Sequence, residues 1–298
     1  MDDATVFRNW LSVRACASSA WLPSDGFLAR NGLGAIMVAT RLTFAHALEL
    51  NATIAFPRTR YTNPRVCKGR TLGCYFFPPC RTLAPAAQPK RVSVEWSRPP
   101  RIEFFWREAG LSRPRSVRWL NAQLARYLFE PPPRVRASIQ RLRVPTGCLA
   151  VHLRGTDKIS EDRRVRTLSL GAIVKAVRSA NRFESAGTVC LTSDSDVTIK
   201  RAKAMLSPLS VWTPPNGWFI STADTVNERN RLLTLESRNG TRDEGLALIS
   251  LMFGLASCDA LLALASSNLA IVIQDISDGH FVDFSGRPYC GVGGRFCA

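Results

Sequence analysis

Four apolar runs in the second half of the chain alternate with amphipathic segments, and this alternation restricts the folds open to it. The runs, predicted as strands, cover residues 148–154, 187–191, 209–212 and 259–264. Helical periodicity is found at 168–182, 197–206, 243–257 and 268–276. Strands that alternate with helices in this way are typical of βαβ units, in which the strands lie parallel. The sequence therefore predicts an α/β fold with a parallel sheet over residues 146–298.

Residues 1–145 are less regular and are predicted as a second α/β domain. A helix is predicted within 32–50, a strand over 52–56, and further helices near 103–109, 115–129 and 133–142. Residues 57–100 are rich in Pro, Arg and Cys and are predicted as a long irregular excursion. Because Pro131-Pro132-Pro133 and Pro145 interrupt the pattern, we place the domain boundary after residue 145.

The 298 residues carry a net charge of +17, which comes mainly from arginines in both halves. Three interpretations fit this charge: a solvated basic surface, a positive cleft for a small anion such as a nucleotide sugar, and binding to nucleic acid or an anionic membrane. Because no nucleic-acid-binding module or interleaved aromatic pattern accompanies the charge, we do not expect nucleic acid as a partner.

Nine cysteines are many for a protein of the reducing cytosol. Five lie in loop-like surroundings that favour disulfides in a secretory compartment, with the pairing left open: Cys67, Cys74, Cys80, Cys290 and Cys297. Three lie in apolar runs and are predicted to be buried free thiols: Cys148, Cys190 and Cys258. No Cys-x-x-Cys pair is present, so the spacing gives little support to a structural zinc site.

The chain starts Met1-Asp2-Asp3, which lacks the basic n-region of a signal peptide. The sequence contains no run of about 18 apolar residues, the length needed to span a bilayer. We therefore expect either a soluble protein or a segment of a longer anchored one, and the cysteines favour the secretory pathway.

Charged side chains follow the strand predicted at 148–154. Arg154, Asp157 and Lys158 come at its carboxyl end, which is the edge where open α/β sheets bind ligands. Arg offers a planar fork for two phosphate oxygens, and Lys offers a point charge. The pattern indicates an anion site, and a surface salt bridge of Asp157 with Arg154 or Lys158 is the alternative.

Two glycines in Asn31-Gly32-Leu33-Gly34-Ala35 stand at the mouth of a predicted helix. They would let backbone N–H groups approach an anion closely. The motif falls short of a full G-x-G-x-x-G, and a plain helix-entry turn is the competing interpretation.

Polar triplets follow two more of the predicted strands. Asp194-Ser195-Asp196 has the Asp-x-Asp form that holds a metal and a diphosphate in one class of nucleotide-sugar enzymes; an N-cap formed by one aspartate is the alternative. Ser266-Ser267-Asn268 offers hydroxyl and N–H groups to a phosphate at a helix N-terminus, and simple N-capping is again the alternative. Three of these motifs thus fall at the carboxyl ends of strands of one predicted sheet.

In this order the motifs resemble the α1,6-fucosyltransferase family. The family strand that ends in His-Val-Arg-Arg-Thr-Asp-Lys is similar to residues 152–158. The family's Leu-Ala-Thr-Asp-Asp is similar to residues 191–195, and its Gly-Tyr-Gly-Cys is similar to residues 32–35. Its Ala-Asp-Phe-Leu-Val-Cys-Thr-Phe-Ser-Ser-Gln is similar to residues 258–268. The likeness covers residues 148–276 and a stretch near 30–56. It implies a GT-B-like architecture with an acceptor-side α/β domain and a Rossmann-like donor domain. It also implies GDP-fucose as the donor and no metal or other cofactor.

The resemblance assigns roles to single residues. Arg154 is expected to bind the β-phosphate, Lys158 to neutralise charge near the leaving group, and His152 to lie beside the guanine. Asp194 is expected to support the site. The other expected donor-binding residues are Gly32, Gly34, Ala35, Asp157, Ser266, Ser267 and Asn268.

The family's catalytic carboxylate lies ten residues after the motif His, which is Asp162 here, with Glu161 beside it. Inverting transfer needs a base that takes the proton of the attacking acceptor hydroxyl. Arg154 and Lys158 would stabilise the departing diphosphate. The chain departs from the family at two positions, with Gly155 for the second motif Arg and Leu251 for the guanine-reading Asp.

The sequence thus predicts an inverting, metal-independent glycosyltransferase of the Golgi lumen that transfers fucose from GDP-fucose to a glycan or glycoconjugate. A metal-dependent transferase that uses another nucleotide sugar through Asp194 and Asp196 is one alternative. A non-catalytic basic module that binds glycans or nucleic acid is the other.

Overall fold

A computed structural model describes residues 2–16, 20–23, 32–59, 61, 71–80, 90–92, 100–153, 169–184, 187–193, 195–215, 243–264, 267–277 and 280–283. These residues form two compact units, one within Met1–Arg134 and one within Val135–Tyr289. Each unit contains a parallel sheet with helices. The prediction of two α/β domains, the second with a parallel sheet, is confirmed.

The first unit contains a small sheet of strands β1 (Ala20–Pro23), β2 (Thr53–Ile54) and β3 (Lys90–Val92), in the order β2-β1-β3. Only β2 was predicted. The other two strands have four and three residues, which is too short for the alternation of side chains to reveal a strand.

The helices of the first unit are α1 (Asp3–Arg14), α2 (Leu33–Glu49), α3 (Ile102–Ala109) and α4 (Val117–Leu128). Helix α2 is buried around nearly its whole circumference because apolar residues occupy all of its faces. Its two buried threonines, Thr40 and Thr43, donate hydrogen bonds to carbonyls one turn back at 2.7 and 2.9 Å. The ring of Phe7 packs against Trp10, Phe105 and Trp119 and joins α1, α3 and α4.

The second unit contains strands β4 (Cys148–Leu153), β5 (Thr188–Ser193), β6 (Val211–Trp212), β7 (Ala260–Ala263) and β8 (His280–Asp283). They are all parallel, in the order β6-β5-β4-β7-β8. The chain moves outward from β4 to β6, returns to the other side of β4 with β7, and then moves outward again. The direction of winding therefore changes between β4 and β7, and ligands of open α/β sheets bind beside such a switch point.

The helices of this unit are α5 (Pro133–Leu142), α6 (Leu170–Glu184), α7 (Asp196–Leu206), α8 (Glu244–Ala256) and α9 (Asn268–Ile276). Leu149, Val151 and Leu153 point to one face of β4, where they join Val174 and Val177 of α6 in one apolar core. Because side chains alternate along a strand, Cys148, Ala150 and His152 point to the opposite face. None of the helices among the described residues has the length and apolar character needed to cross a membrane.

The cysteines correct one prediction. Cys148 and Cys258 are joined in a disulfide and are not free thiols. Their apolar surroundings showed burial, but the pairing follows from the tertiary fold, because Cys258 lies just before β7 and the Asp259 N–H donates to the Cys148 carbonyl at 3.0 Å. Cys190 is a buried free thiol, as predicted, and burial raises its pKa to about 12.

In the first unit Cys80 forms a disulfide with Cys16, and Cys74 is also disulfide-bonded. The prediction that these loop cysteines form disulfides is confirmed for Cys74 and Cys80. The other three, Cys67, Cys290 and Cys297, lie outside the described residues.

Candidate functional site

The carboxyl end of β4 places a buried histidine beside the switch point. His152 pairs in register with Thr192 of β5 on one side and with Ala263 of β7 on the other. It is 7% exposed, and its Nδ1 lies 3.2 Å from the Thr192 hydroxyl. That hydroxyl donates to the Val151 carbonyl at 3.2 Å. The imidazole is therefore held at the sheet edge where a ligand would bind.

The carboxyl end of β7 leads into the N-terminus of α9, where Ser267 is the N-cap residue. Its backbone N–H donates to the Leu264 carbonyl at 2.9 Å, and its carbonyl accepts from Ile271 at 3.0 Å. Its hydroxyl makes no capping hydrogen bond and is buried without a hydrogen-bond partner among the described residues. The N-capping alternative therefore does not explain this serine.

A buried hydroxyl without a partner is costly, by about 1–3 kcal/mol. The first N–H groups of α9 lack acceptors within the helix, and its first turn contains no acidic side chain. The helix dipole adds a partial positive charge at the same place. A phosphate oxygen at this point would satisfy both the hydroxyl of Ser267 and the N–H groups that follow it.

The carboxyl end of β5 differs from the prediction. Ser195 caps α7, with its hydroxyl accepting the Thr198 N–H at 3.2 Å. The alternative interpretation, in which an aspartate of the Asp-x-Asp triplet caps this helix, is wrong, because the helix starts one residue later than Asp194 would require and Asp196 is its first residue. Serine and aspartate cap about equally well, so the helix register decides which of them does so.

In the first unit, the predicted glycine turn is the N-terminus of α2. Gly32 is the N-cap residue, without a side-chain cap, and the first helical hydrogen bond runs from the Ile36 N–H to the Gly32 carbonyl at 3.1 Å. Gly34 and Ala35 lie buried in the first turn, where N–H groups have no acceptor within the helix. The Tyr61 hydroxyl lies 3.9 Å from the point that a Cβ on Gly32 would occupy.

The remaining predicted site residues lie outside the described residues: Arg154, Asp157, Lys158, Glu161, Asp162, Asp194 and Ser266. Asn268 is the first residue of α9 and is half-buried. Leu251, the position of the family's guanine-reading Asp, is a buried residue of α8. The structure thus brings His152 and Ser267 to neighbouring strand ends, and it places Gly34 and Ala35 at an uncapped helix N-terminus of the other unit.

Two residues of these sites were not identified from the sequence. Thr192 lies within the stretch 191–195 that resembles the family, but the resemblance assigns it no role, so only its register opposite His152 reveals one. Tyr61 lies in a segment predicted as irregular, and its place beside Gly32 depends on tertiary contacts.

No protein-family model matches the chain, and no curated protein matches it either. NodZ α1,6-fucosyltransferase, soaked with GDP-fucose, has 15% sequence identity over 90% of this chain and 94% of that chain, with a TM-score of 0.48. POFUT1 in complex with GDP-fucose has 11% identity over 91% and 98% of the two chains, with a TM-score of 0.47.

A mutant FUT1 of Arabidopsis thaliana in complex with GDP has 12% identity over 95% of this chain and 74% of that chain, with a TM-score of 0.49. The structural neighbours of this chain therefore include three fucosyltransferases solved with GDP or GDP-fucose.

Proposed function

We propose that this chain is a glycosyltransferase that transfers fucose from GDP-fucose to a hydroxyl of a glycan or glycoconjugate, with inversion at the anomeric carbon and without a metal ion. The observation that carries the proposal is Ser267, whose buried hydroxyl has no partner among the described residues at the N-terminus of α9. It follows β7, which neighbours β4 at the switch point of the sheet.

The proposed donor site combines this helix end with the end of β4. The diphosphate is bound by the Ser267 hydroxyl and the first N–H groups of α9, and the guanine lies beside His152. Arg154 follows β4 directly in the sequence, Lys158 comes four residues after it, and both supply positive charge to the departing diphosphate. The resemblance assigns Gly34 and Ala35 of the first unit to donor binding as well, and this assignment is tested separately by Gly32→Ala.

In the proposed reaction the acceptor oxygen attacks the anomeric carbon of fucose while the bond from that carbon to the diphosphate oxygen breaks. Asp162, or Glu161 beside it, takes the proton of the acceptor hydroxyl. GDP leaves with the bonding electron pair. Attack from the face opposite the leaving group inverts the configuration.

The disulfides support a proposed location in the secretory pathway, with the Golgi lumen as the expected compartment. Buried disulfides such as Cys148–Cys258 persist in oxidising compartments and are rare in the cytosol.

Titration calorimetry tests the donor. Without metal, GDP should bind at least about tenfold more tightly than UDP, and adding Mn²⁺ should leave the GDP affinity unchanged. Binding of UDP only with Mn²⁺, and no binding of GDP, would overturn the proposal in favour of a metal site at Asp194 and Asp196. Release of GDP from GDP-fucose across a panel of acceptor glycans then identifies the acceptor.

Arg154→Ala separates an enzyme from a basic binding module. Losing one charge-assisted hydrogen bond costs about 1.5–3 kcal/mol, so GDP should bind about 10- to 150-fold more weakly and transfer should be lost. Arg141→Ala, which removes an exposed arginine of α5, is the matched control and should keep both properties. A non-catalytic module would give a different result. Neither the parent chain nor the two variants would then bind GDP, and both changes would have equal, small effects on binding to a polyanion such as heparin.

A further inference from the structure

Three cysteine sulfurs lie close together in the second unit. Cys148, Cys190 and Cys258, called here the core cysteine cluster, have Sγ atoms within 4.8 Å of one another, and all three residues are buried. Cys148 belongs to β4, Cys190 belongs to β5, and Cys258 lies two residues before the start of β7. The disulfide Cys148–Cys258 uses two of the sulfurs, and Cys190 is the free thiol beside it.

The core cysteine cluster is separate from the proposed donor site. Cys148 is the first residue of β4, whereas His152 is the fifth. At about 3.3 Å per residue, the two are about 13 Å apart along the strand. The cluster therefore lies toward the amino end of the sheet, and the proposed donor site lies at its carboxyl end.

A second disulfide pairing does not explain the third cysteine. Cys190 pairs in register with Ala150, two residues beyond Cys148. With strands about 4.8 Å apart and a rise of about 3.3 Å per residue, this diagonal separates the two Cα atoms by about 8 Å. Cα atoms more than about 7 Å apart cannot be bridged by a disulfide without backbone movement. Cys258 is on the far side of β4 from β5.

The same spacing fits three ligands of one metal ion. Zinc–sulfur bonds are about 2.3 Å long, so the sulfurs of a tetrahedral site lie about 3.8 Å apart. The sulfurs of the cluster are within 4.8 Å of one another while the disulfide is closed. After the disulfide opens, the Cys148 and Cys258 sulfurs have to separate from about 2.0 to about 3.8 Å. The Cys190 sulfur has to move by about 1 Å, and side-chain rotations cover both distances.

We propose that the core cysteine cluster, when its disulfide is reduced, forms a three-thiolate site for a thiophilic metal ion of the Zn²⁺ class. Thiolates are soft ligands that select such ions over Mg²⁺ or Ca²⁺. The ion would tie β4, β5 and the start of β7 together, so that the sheet stays cross-linked in a chain that has not been oxidised. The disulfide and the metal ion are alternative cross-links of the same sheet.

The chemistry balances as two steps. A dithiol reductant gives two electrons and two protons to the Cys148–Cys258 disulfide, which yields two thiols and the oxidised reductant. The three thiols then release three protons as they bind the metal ion. The fourth position of a tetrahedral ion is filled by water or another small ligand.

Uptake of Cd²⁺ tests the proposal with the whole chain, because Cd²⁺ bound to thiolates gives an ultraviolet charge-transfer band. The chain is reduced with a phosphine, dialysed and titrated with Cd²⁺, and Zn²⁺ is then added as a competitor. Cys190→Ala is the matched variant, because it removes one sulfur and leaves the Cys148–Cys258 disulfide of the oxidised form intact. Its folding is checked in that oxidised form by circular dichroism.

The reduced parent chain should bind one tight equivalent of metal more than reduced Cys190→Ala, and Zn²⁺ should displace the Cd²⁺. Saturating Zn²⁺ should raise the melting temperature of the reduced parent by about 5 °C or more and leave that of Cys190→Ala unchanged. Cys16→Ala, which alters the disulfide of the first unit, should keep the tight equivalent. Equal uptake by the parent and Cys190→Ala would overturn the proposal, whatever their affinity for GDP.

Discussion

His152 and Thr192 share a hydrogen bond whose direction assigns the protonation of the imidazole. The Thr192 hydroxyl has one proton, which it donates to the Val151 carbonyl at 3.2 Å. Toward His152 Nδ1, also at 3.2 Å, the hydroxyl is therefore the acceptor, and Nδ1 carries the proton. A neutral imidazole with its proton on Nδ1 has its lone pair on Nε2, the nitrogen that would accept a hydrogen bond from a guanine N–H in the proposed donor site.

Thr192→Val tests this relationship, because valine keeps the shape of the side chain and removes the hydroxyl. Without its acceptor, Nδ1 is no longer fixed as the protonated nitrogen. One hydrogen bond is worth about 0.5–1.5 kcal/mol, so the Kd for GDP should rise about 2- to 12-fold by calorimetry. Thr188→Val, at the amino end of the same strand, is the control and should leave the Kd unchanged. A GDP affinity that is the same in both variants would remove His152 from the proposed site.

Ser267→Ala tests the end of α9. If the hydroxyl binds the diphosphate, its loss should raise the Kd for GDP about 3- to 10-fold. Because the hydroxyl has no partner among the described residues, its loss should increase the free energy of unfolding by up to about 1–3 kcal/mol, the cost of a buried hydroxyl without a partner.

Ser250→Ala is the matched control for Ser267→Ala. Ser250 lies in α8, is likewise buried and has a hydroxyl without a partner among the described residues. This variant should change stability in the same direction and leave GDP binding unchanged. If both variants weaken GDP binding alike, the effect comes from general packing of the second unit and does not place the diphosphate at Ser267.

Much of the second unit could be predicted from the sequence because its strands and helices have strong periodicity. The strand predicted at 148–154 matches β4, and the helix predicted at 168–182 matches α6, whose Val174 and Val177 pack into the core. The strands that escaped prediction, β1, β3 and β8, have only three or four residues, which carry no periodic signal, and they depend on their neighbours in the sheet.

The site could be predicted where it depends on strand order, and less well where it depends on three-dimensional pairing. His152 and Ser267 follow from the rule that parallel strands end at one edge. The partners Thr192 and Cys258 do not, since register and disulfide pairing are decided by contacts between segments that are 40 and 110 residues apart.

Gly32→Ala tests the N-terminus of α2 as a donor contact. A Cβ at Gly32 would meet its nearest neighbour, the Tyr61 hydroxyl, at an ordinary contact distance of 3.9 Å, and no positive φ is present. The variant should therefore fold normally. If a diphosphate approaches this turn closely, the added methyl group should raise the Kd for GDP-fucose several-fold.

Gly171→Ala is the control for this change, because Gly171 is an exposed residue in the first turn of α6 with similar free space. It should stabilise its helix by about 0.5–1 kcal/mol and leave donor binding unchanged. If Gly32→Ala folds and binds GDP-fucose with the parent's affinity, the donor does not contact α2 at this turn.

Asp3 and Arg115 make the stability of the first unit depend on pH. The Arg115 guanidinium donates hydrogen bonds to the Asp3 carboxylate, one of them from Nε at 2.8 Å, and holds the pKa of that carboxyl below its ordinary value. A carboxyl with a lowered pKa in the folded state stabilises the fold above its ordinary pKa, and this contribution is lost as the pH falls through the lowered value.

Asp3→Asn should therefore lower the melting temperature by a few degrees at neutral pH, and the difference from the parent should shrink as the pH is lowered below the ordinary pKa of aspartate. Melting curves across that range, at fixed ionic strength, measure this. Glu103→Gln, which changes an exposed acid in the first turn of α3, is the control and should show no comparable pH-dependent difference. A constant difference between the parent and Asp3→Asn at every pH would show that the change acts through packing and not through the carboxylate charge.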